Sequence, residues 1–173
     1  MRFEDGSGGI SGWALTGAAS ADLDGLPTEL TERPSGELPA PGTGNSPHEH
    51  RNGALRIDHI VVSTPALDRT LAAFEAAGLS LRRFREPDEP GPPVRQGFFR
   101  LGEVILEVVE DPGGGDGPAR FWGLTICVAD LDACAELLGE LIGEVHPAVQ
   151  PGRRIATLRR EAGLGTRVAL ISA

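Results

Sequence analysis

Two stretches of the chain repeat one pattern, and that repeat leaves few folds open. Residues 57–79 begin with a β-branched apolar run, Ile57 to Val62, and continue with Leu67, Leu71 and Phe74 at i, i+4 and i+7. The run has strand length, and the spacing that follows is one apolar stripe on a helix, with Gly78 as its stop. Thr64 and Pro65 suit the cap and first position of that helix, and Asp68 sits near its positive end. Residues 123–143 repeat the unit: Gly123-Leu124-Thr125-Ile126-Cys127-Val128, then Leu131, Cys134, Leu138 and Leu141 on one helix face. His59 to Asp68 and Gly123 to Asp132 are both steps of nine, so the copies align without a gap at an offset of 64 (123 − 59).

Strand material follows each copy. After the first come 81–85, 95–100 and 103–110; after the second come 145–149, 153–158 and 166–172. Two β-α-β-β-β modules, 54–111 and 119–173, therefore predict an α+β fold whose cupped mixed sheet encloses one cavity. Upstream, residues 31–53 are rich in Pro and Gly and read as a linker. Residues 1–30 form a short segment in which Trp13-Ala14-Leu15-Thr16 and Ala21–Asp24 echo Trp122–Thr125 and Ala129–Asp132. A short strand, the remnant of a truncated module, is expected there. The Gly-rich stretch 111–118 lacks a Gly-Lys-Ser/Thr and carries Asp111 and Asp116, which repel phosphate, so it reads as a linker between the modules.

A net charge of −9 and a pI near 4.9 disfavour nucleic acid as a partner. Met1–Gly6 is followed by no apolar core of a signal peptide, and no apolar run is long enough to span a membrane. Cys127 and Cys134 both sit inside apolar patterns and read as buried free thiols, which predicts a cytoplasmic protein.

Alternation sorts the strand faces. Ile60 and Val62 pack on the helix, which leaves His59 and Val61 on the concave side of the sheet. In 103–110, Val104, Leu106 and Val108 oppose Ile105, Glu107 and Val109. A carboxylate at Glu107, in so apolar a strand, needs a cation or strong hydrogen bonds. A His59–Glu107 pair without metal would fix the imidazole tautomer and make His59 a proton shuttle, or would serve as a structural plug. Thr125 and Cys127 share the concave face of the second unit. Arg153 and Arg167 are candidate ligand contacts for an anion, against the alternative of solvated strand-end arginines. His48-Glu49-His50 has no third ligand nearby and reads as solvated. The chain holds no tyrosine, so no phenol acts as acid or base.

The run "DHIVV…ALD…AAFEAAGL", then "FFRLGEVILEVVE", then the degenerate repeat, resembles the vicinal oxygen chelate superfamily. That superfamily holds glyoxalase I, bleomycin-resistance proteins and extradiol dioxygenases. The resemblance covers residues 54–173, about two-thirds of the chain, and implies the paired-module fold more firmly than any one reaction. It implies a divalent metal (Zn, Ni, Fe or Mn) held by a His or Gln on the first strand and a Glu on the last strand of each half. His59 and Glu107 stand at the first-half positions, as metal ligands and catalytic residues. The second-half positions fall on Gly123 and Ala169, which cannot ligate. Three functions stay open: a lyase, isomerase or dioxygenase using His59 and Glu107; a metal-free binding or sequestering protein like the bleomycin-resistance proteins, whose acidic charge would suit a cationic ligand; and a degenerate structural module. The partner expected is a small molecule, with neither nucleic acid nor membrane, and a homodimer is compatible with the fold.

Overall fold

The computed structural model describes residues 9–32, 50–88 and 93–173. The upstream segment forms β1 (Trp13–Thr16) and β2 (Thr28–Thr31), paired in parallel. The first half runs β3 (Ala54–Thr64), α1 (Leu67–Ala76), β4 (Leu81–Arg85), β5 (Gln96–Leu101) and β6 (Val104–Glu110). The second half runs β7 (Arg120–Val128), α2 (Leu131–Leu138), β8 (His146–Pro147), β9 (Arg154–Thr157) and β10 (Arg167–Ser172). One sheet of eight strands results, in the order β4-β5-β6-β3-β7-β10-β9-β8.

Within each half the first strand lies parallel to the last, and the halves meet through an antiparallel β3–β7 seam. The seam pairs His59 with Thr125 and Val61 with Gly123. A shift of 64 carries His59 onto Gly123 and Val61 onto Thr125, so each pair maps onto the other. The repeat read from sequence is thus a two-fold relation in space. The parallel ladders agree with it: Val61 lies beside Glu107 in the first half, as Thr125 lies beside Ala169 in the second. Gly123 and Ala169 are therefore the spatial counterparts of His59 and Glu107.

Each helix covers its own half of the sheet. Leu67, Leu71 and Phe74 bury their stripe against Ile60, Val62, Leu106 and Val108, with Phe74 edge-on to Phe99 at 5.3 Å. Leu131 and Cys134 do the same against Leu124, Val128, Val168 and Leu170. Burial of such side chains, at about 1.5–3 kcal/mol each, is the main driving force. Among the described residues no helix is long and apolar enough to cross a membrane.

Several elements differ from their sequence expectations. Thr64 does not cap α1. It ends β3, and the helix starts at Leu67 behind Ala66, which makes no side-chain cap. The buried Thr64 hydroxyl bonds Thr70 Oγ1 at 2.7 Å and accepts from Ala66 N at 3.1 Å instead. In the second half α2 stops at Leu138. Gly139 takes a positive φ of 54° and a single 3-10 turn follows, so Leu141 is exposed and Ile142 is buried instead. The strand expected over 145–149 shrinks to two residues, because Pro147 has no N–H to extend it.

The upstream segment is a two-stranded strap rather than a βαβββ module. Trp13 is buried edge-on to Phe121 at 5.1 Å, and its Nε1 donates to Thr28 Oγ1 at 2.7 Å. Leu23 and Leu26 join the first core. Asp24 accepts from Thr70 Oγ1 and from Arg69 Nε, and Ala19 N donates to Ala77 O at 2.8 Å, which ties the strap to α1. Most of the linker expected over 31–53, with His48 and Glu49, lies outside the described residues.

Candidate functional site

β3 carries His59 on the concave face, and an irregularity in its pairing with β7 falls between Ile57 and His59. A bulge of this kind lets consecutive side chains share one side. Asp58 Oδ2 accordingly lies 3.0 Å from His59 Nδ1. Asp58 Oδ1 accepts from Arg153 Nη1 at 2.8 Å, and Arg153 Nε donates to Ser172 O at 2.8 Å. On the other side of the ring, His59 Nε2 lies 2.8 Å from Thr125 Oγ1 and 4.0 Å from Glu107 Oε2. The second Glu107 oxygen accepts from Gln96 Nε2. A polar chain, Arg153–Asp58–His59–Glu107–Gln96, therefore crosses the seam between the halves.

The two carboxyls in this chain are driven in opposite directions. Burial alone would raise Asp58, but hydrogen bonds from His59 and Arg153 and their charge outweigh it, so Asp58 is held below the usual carboxylate range. Glu107 is raised by burial, which attraction to His59 and Arg85 only partly offsets. An ionised Asp58 assigns the ring proton to His59 Nδ1, which leaves Nε2 as the nitrogen that gains or gives up a proton.

A cavity of about 570 Å³ opens on His59, Gln96 and Glu107. Phe98 and Ile105 give it an apolar wall, Arg82, Arg83 and Arg100 are exposed in its lining, and the buried Arg85 lies deeper. The second half closes it with His146 and Pro147 of β8. Among the described residues the lining holds four arginines and one glutamate, in a chain of net charge −9.

Of the expected ligand contacts, none besides His59 and Glu107 lines the cavity. Thr125 is buried behind His59. Cys127 is fully buried, 3.6 Å from Arg153 Nη2. Arg153 is turned to Asp58. Arg167 lies over the ring of Trp122, 4.5 Å from its centroid, in a different cleft. Asp58, Gln96 and the arginines of β4 and β5 were not expected. Gln96, Phe98 and Arg100 alternate onto one face, a pattern visible in the sequence, whereas a bulge at Asp58 breaks the alternation that would have revealed it.

The four-ligand metal centre implied by the resemblance does not fit these residues. Among the described residues no group of three or more His, Cys, Asp or Glu side chains converges. The two missing ligands fall on Gly123 and Ala169, and Gly123 cannot simply be exchanged. A Cβ there would lie 2.5 Å from Arg167 O and 3.0 Å from Arg167 Cβ. We expect Gly123→Ala to force β7 and β10 apart and to cost about 1–3 kcal/mol, as overpacking does. Thermal melting checks this, and an unchanged midpoint would count against the close approach.

Paired βαβββ modules joined through their first strands around a cupped sheet are the fold of the vicinal oxygen chelate superfamily, and this chain has that glyoxalase-like fold. It is similar to methylmalonyl-CoA epimerase from Mycobacterium tuberculosis, at 16% identity over 69% of this chain and 89% of that one, with a TM-score of 0.55. It is similar to a hypothetical protein from Bacillus halodurans, at 18% identity over 68% and 94%, with a TM-score of 0.55. A third similar structure is a variant of the Streptomyces coelicolor methylmalonyl-CoA epimerase in complex with 2-nitronate-propionyl-CoA, at 21% identity over 69% and 98%, with a TM-score of 0.54. At these identities the likeness is one of fold. No family model matches the sequence, and no curated protein does.

Proposed function

We propose that the chain binds a small organic anion in the cavity of its first half and moves a proton at that ligand through His59 and Glu107. The observation that carries this reading is the placement of Nε2 and Oε2, 4.0 Å apart, in a cavity whose lining holds four arginines. Guanidinium groups recognise carboxylate and phosphate oxygens by forked hydrogen bonds. A cationic ligand, which the net charge alone suggests, would meet a like-charged wall. The ionised Asp58 holds the imidazole in one tautomer, so Nε2 accepts or delivers the proton, and Glu107 is its partner across the gap. Burial pushes the Glu107 carboxyl up, which favours its protonated form relative to an exposed glutamate. No step runs through a metal, because only half of the donor set is present.

Acyl-CoA thioesters, anionic through their phosphates, are the first ligands to test, since one similar structure is an epimerase in complex with a propionyl-CoA derivative. Proton removal beside a carbonyl is the reaction that a His–Glu pair can supply. Exchange of the hydrogen beside the thioester carbonyl with solvent deuterium, followed by NMR, tests the reading. We expect exchange with wild type, and a loss of about 100-fold or more in His59→Ala, the usual scale of general acid–base catalysis. Arg83→Gln is expected to raise KM with little change in kcat. Addition of Zn²⁺, Ni²⁺, Fe²⁺ or Mn²⁺ should leave the rate unchanged. Exchange that survives in His59→Ala, or that depends on added metal, would overturn the proposal. A second reading, binding without chemistry, is favoured by the fact that Asp58 and Thr125 already satisfy both ring nitrogens. Saturable binding with no exchange would select it.

A further inference from the structure

A second cleft, of about 690 Å³, lies against the second half of the sheet and shares no lining residue with the His59 cavity. Trp122 lines it and is 43% exposed, an unusual state for the largest aromatic. The cause is local. The β3–β7 ladder slips between Val61 and Val62, pairing Gly123 with Val61 and Phe121 with Val62, which leaves Trp122 unpaired at the slip. Phe121 turns into the first core against Trp13, and Trp122 borders the open cleft.

The charge here is one-sided. Arg167 covers Trp122 at 4.5 Å, and Arg159 and Arg160 line the same cleft. Among the described residues no acidic residue lines it, and no carboxylate pairs with any of these three arginines. The other exposed arginines of the second half behave differently, as Arg120 is matched by Asp111 and Arg154 by Asp132. Leu164 supplies an apolar edge, 47% exposed on a loop whose flanking glycines, Gly163 and Gly165, both have positive φ. Three guanidiniums unmatched among the described residues share this cleft with an indole, a positive, aromatic surface in a chain of net charge −9. Mutual repulsion disfavours such a cluster unless an anion compensates it.

We infer that this cleft is a second binding site, for a planar aromatic carboxylate. The ring packs against Leu164 and the edge of Trp122, beside the face that Arg167 covers, and the carboxylate meets Arg167 and its neighbours. A guanidinium stacked on an aromatic face keeps its in-plane N–H groups clear of the ring, which suits a forked contact with a carboxylate. This site does not depend on the proton chemistry proposed above.

Calorimetric titration of the full chain with 2-naphthoate tests it, with 2-naphthol and inorganic phosphate as comparison probes. We expect saturable naphthoate binding that weakens about tenfold in Arg167→Gln and in Trp122→Leu, the scale of one charged contact or one stacked ring. Arg160→Gln, on an exposed turn where a folding defect is not expected, should weaken it as well. His59→Ala should leave it unchanged. Loss of binding in His59→Ala but not in Arg167→Gln would place the ligand in the other cavity and overturn the inference. Naphthol binding as tightly as naphthoate would remove the anion, and phosphate binding as tightly would remove the ring. Absence of naphthoate binding at millimolar concentration would end it.

Discussion

Replacing Asp58 by alanine is expected to lower stability by about 3–5 kcal/mol, the cost of breaking a buried charge pair by removing one partner. Asp58 is 7% exposed and its partner Arg153 is 20% exposed. The substitution leaves that guanidinium with Ser172 O and a thiol but without its carboxylate. It also removes the acceptor of His59 Nδ1. Asp58→Asn keeps the shape and one hydrogen bond and should fall between the two. The pH dependence has a definite sign. A carboxyl held below its ordinary value adds stability that is present above the ordinary aspartate pKa, about 3.9, and is lost as pH falls through the lowered one. The acid limb of the wild-type curve should therefore flatten in Asp58→Ala. Denaturant unfolding across pH measures this, and a loss under about 1 kcal/mol at neutral pH would mean that the pair is effectively solvated.

Glu107→Gln is expected to separate stability from function. The carboxyl is raised by burial, so the protonated form is the one that the fold favours. Its contribution is fully present below the ordinary glutamate pKa, about 4.3, and is lost as pH rises through the raised value. Glutamine stays neutral throughout and still accepts from Gln96. The variant should match wild type at acid pH and become the more stable of the two as pH rises. Glu107→Leu should likewise be neutral or stabilising, by up to about 1–4 kcal/mol, since it removes a desolvated charge. Both variants should lose proton exchange by about 100-fold. A variant less stable than wild type at neutral pH would instead make Glu107 a structural anchor of β6.

Both sites show what a sequence can and cannot disclose. The fold was legible because period and offset are properties of the chain itself: the stripe Leu67-Leu71-Phe74 and the run Ile57–Val62 admit one partner surface each, and the offset of 64 carries one half onto the other. His59 and Glu107 were legible for a related reason, as polar side chains in otherwise apolar strands. Asp58 was not, because bulges are set by the facing strand. Arg153 and Arg167 stand near strand ends, where only the three-dimensional neighbours decide between Asp58 and the face of Trp122. Thr64 carried a helix-cap signal that a buried hydroxyl partner, Thr70, overrode. Net charge is uninformative for a similar reason. It sums the whole surface, whereas Arg82, Arg83, Arg85 and Arg100 all fall in the lining of one cavity.

The central claim is that a small anion binds beside His59 Nε2. NMR of the full chain with ¹⁵N-labelled imidazoles tests it most directly, since the chain has only four histidines to assign. During titration with propionyl-CoA, whose phosphates make it an anion, a saturable shift of the His59 Nε2 resonance is expected, weakened in Arg83→Gln. A His59 signal that stays fixed while His146 or none of the four responds would contradict it.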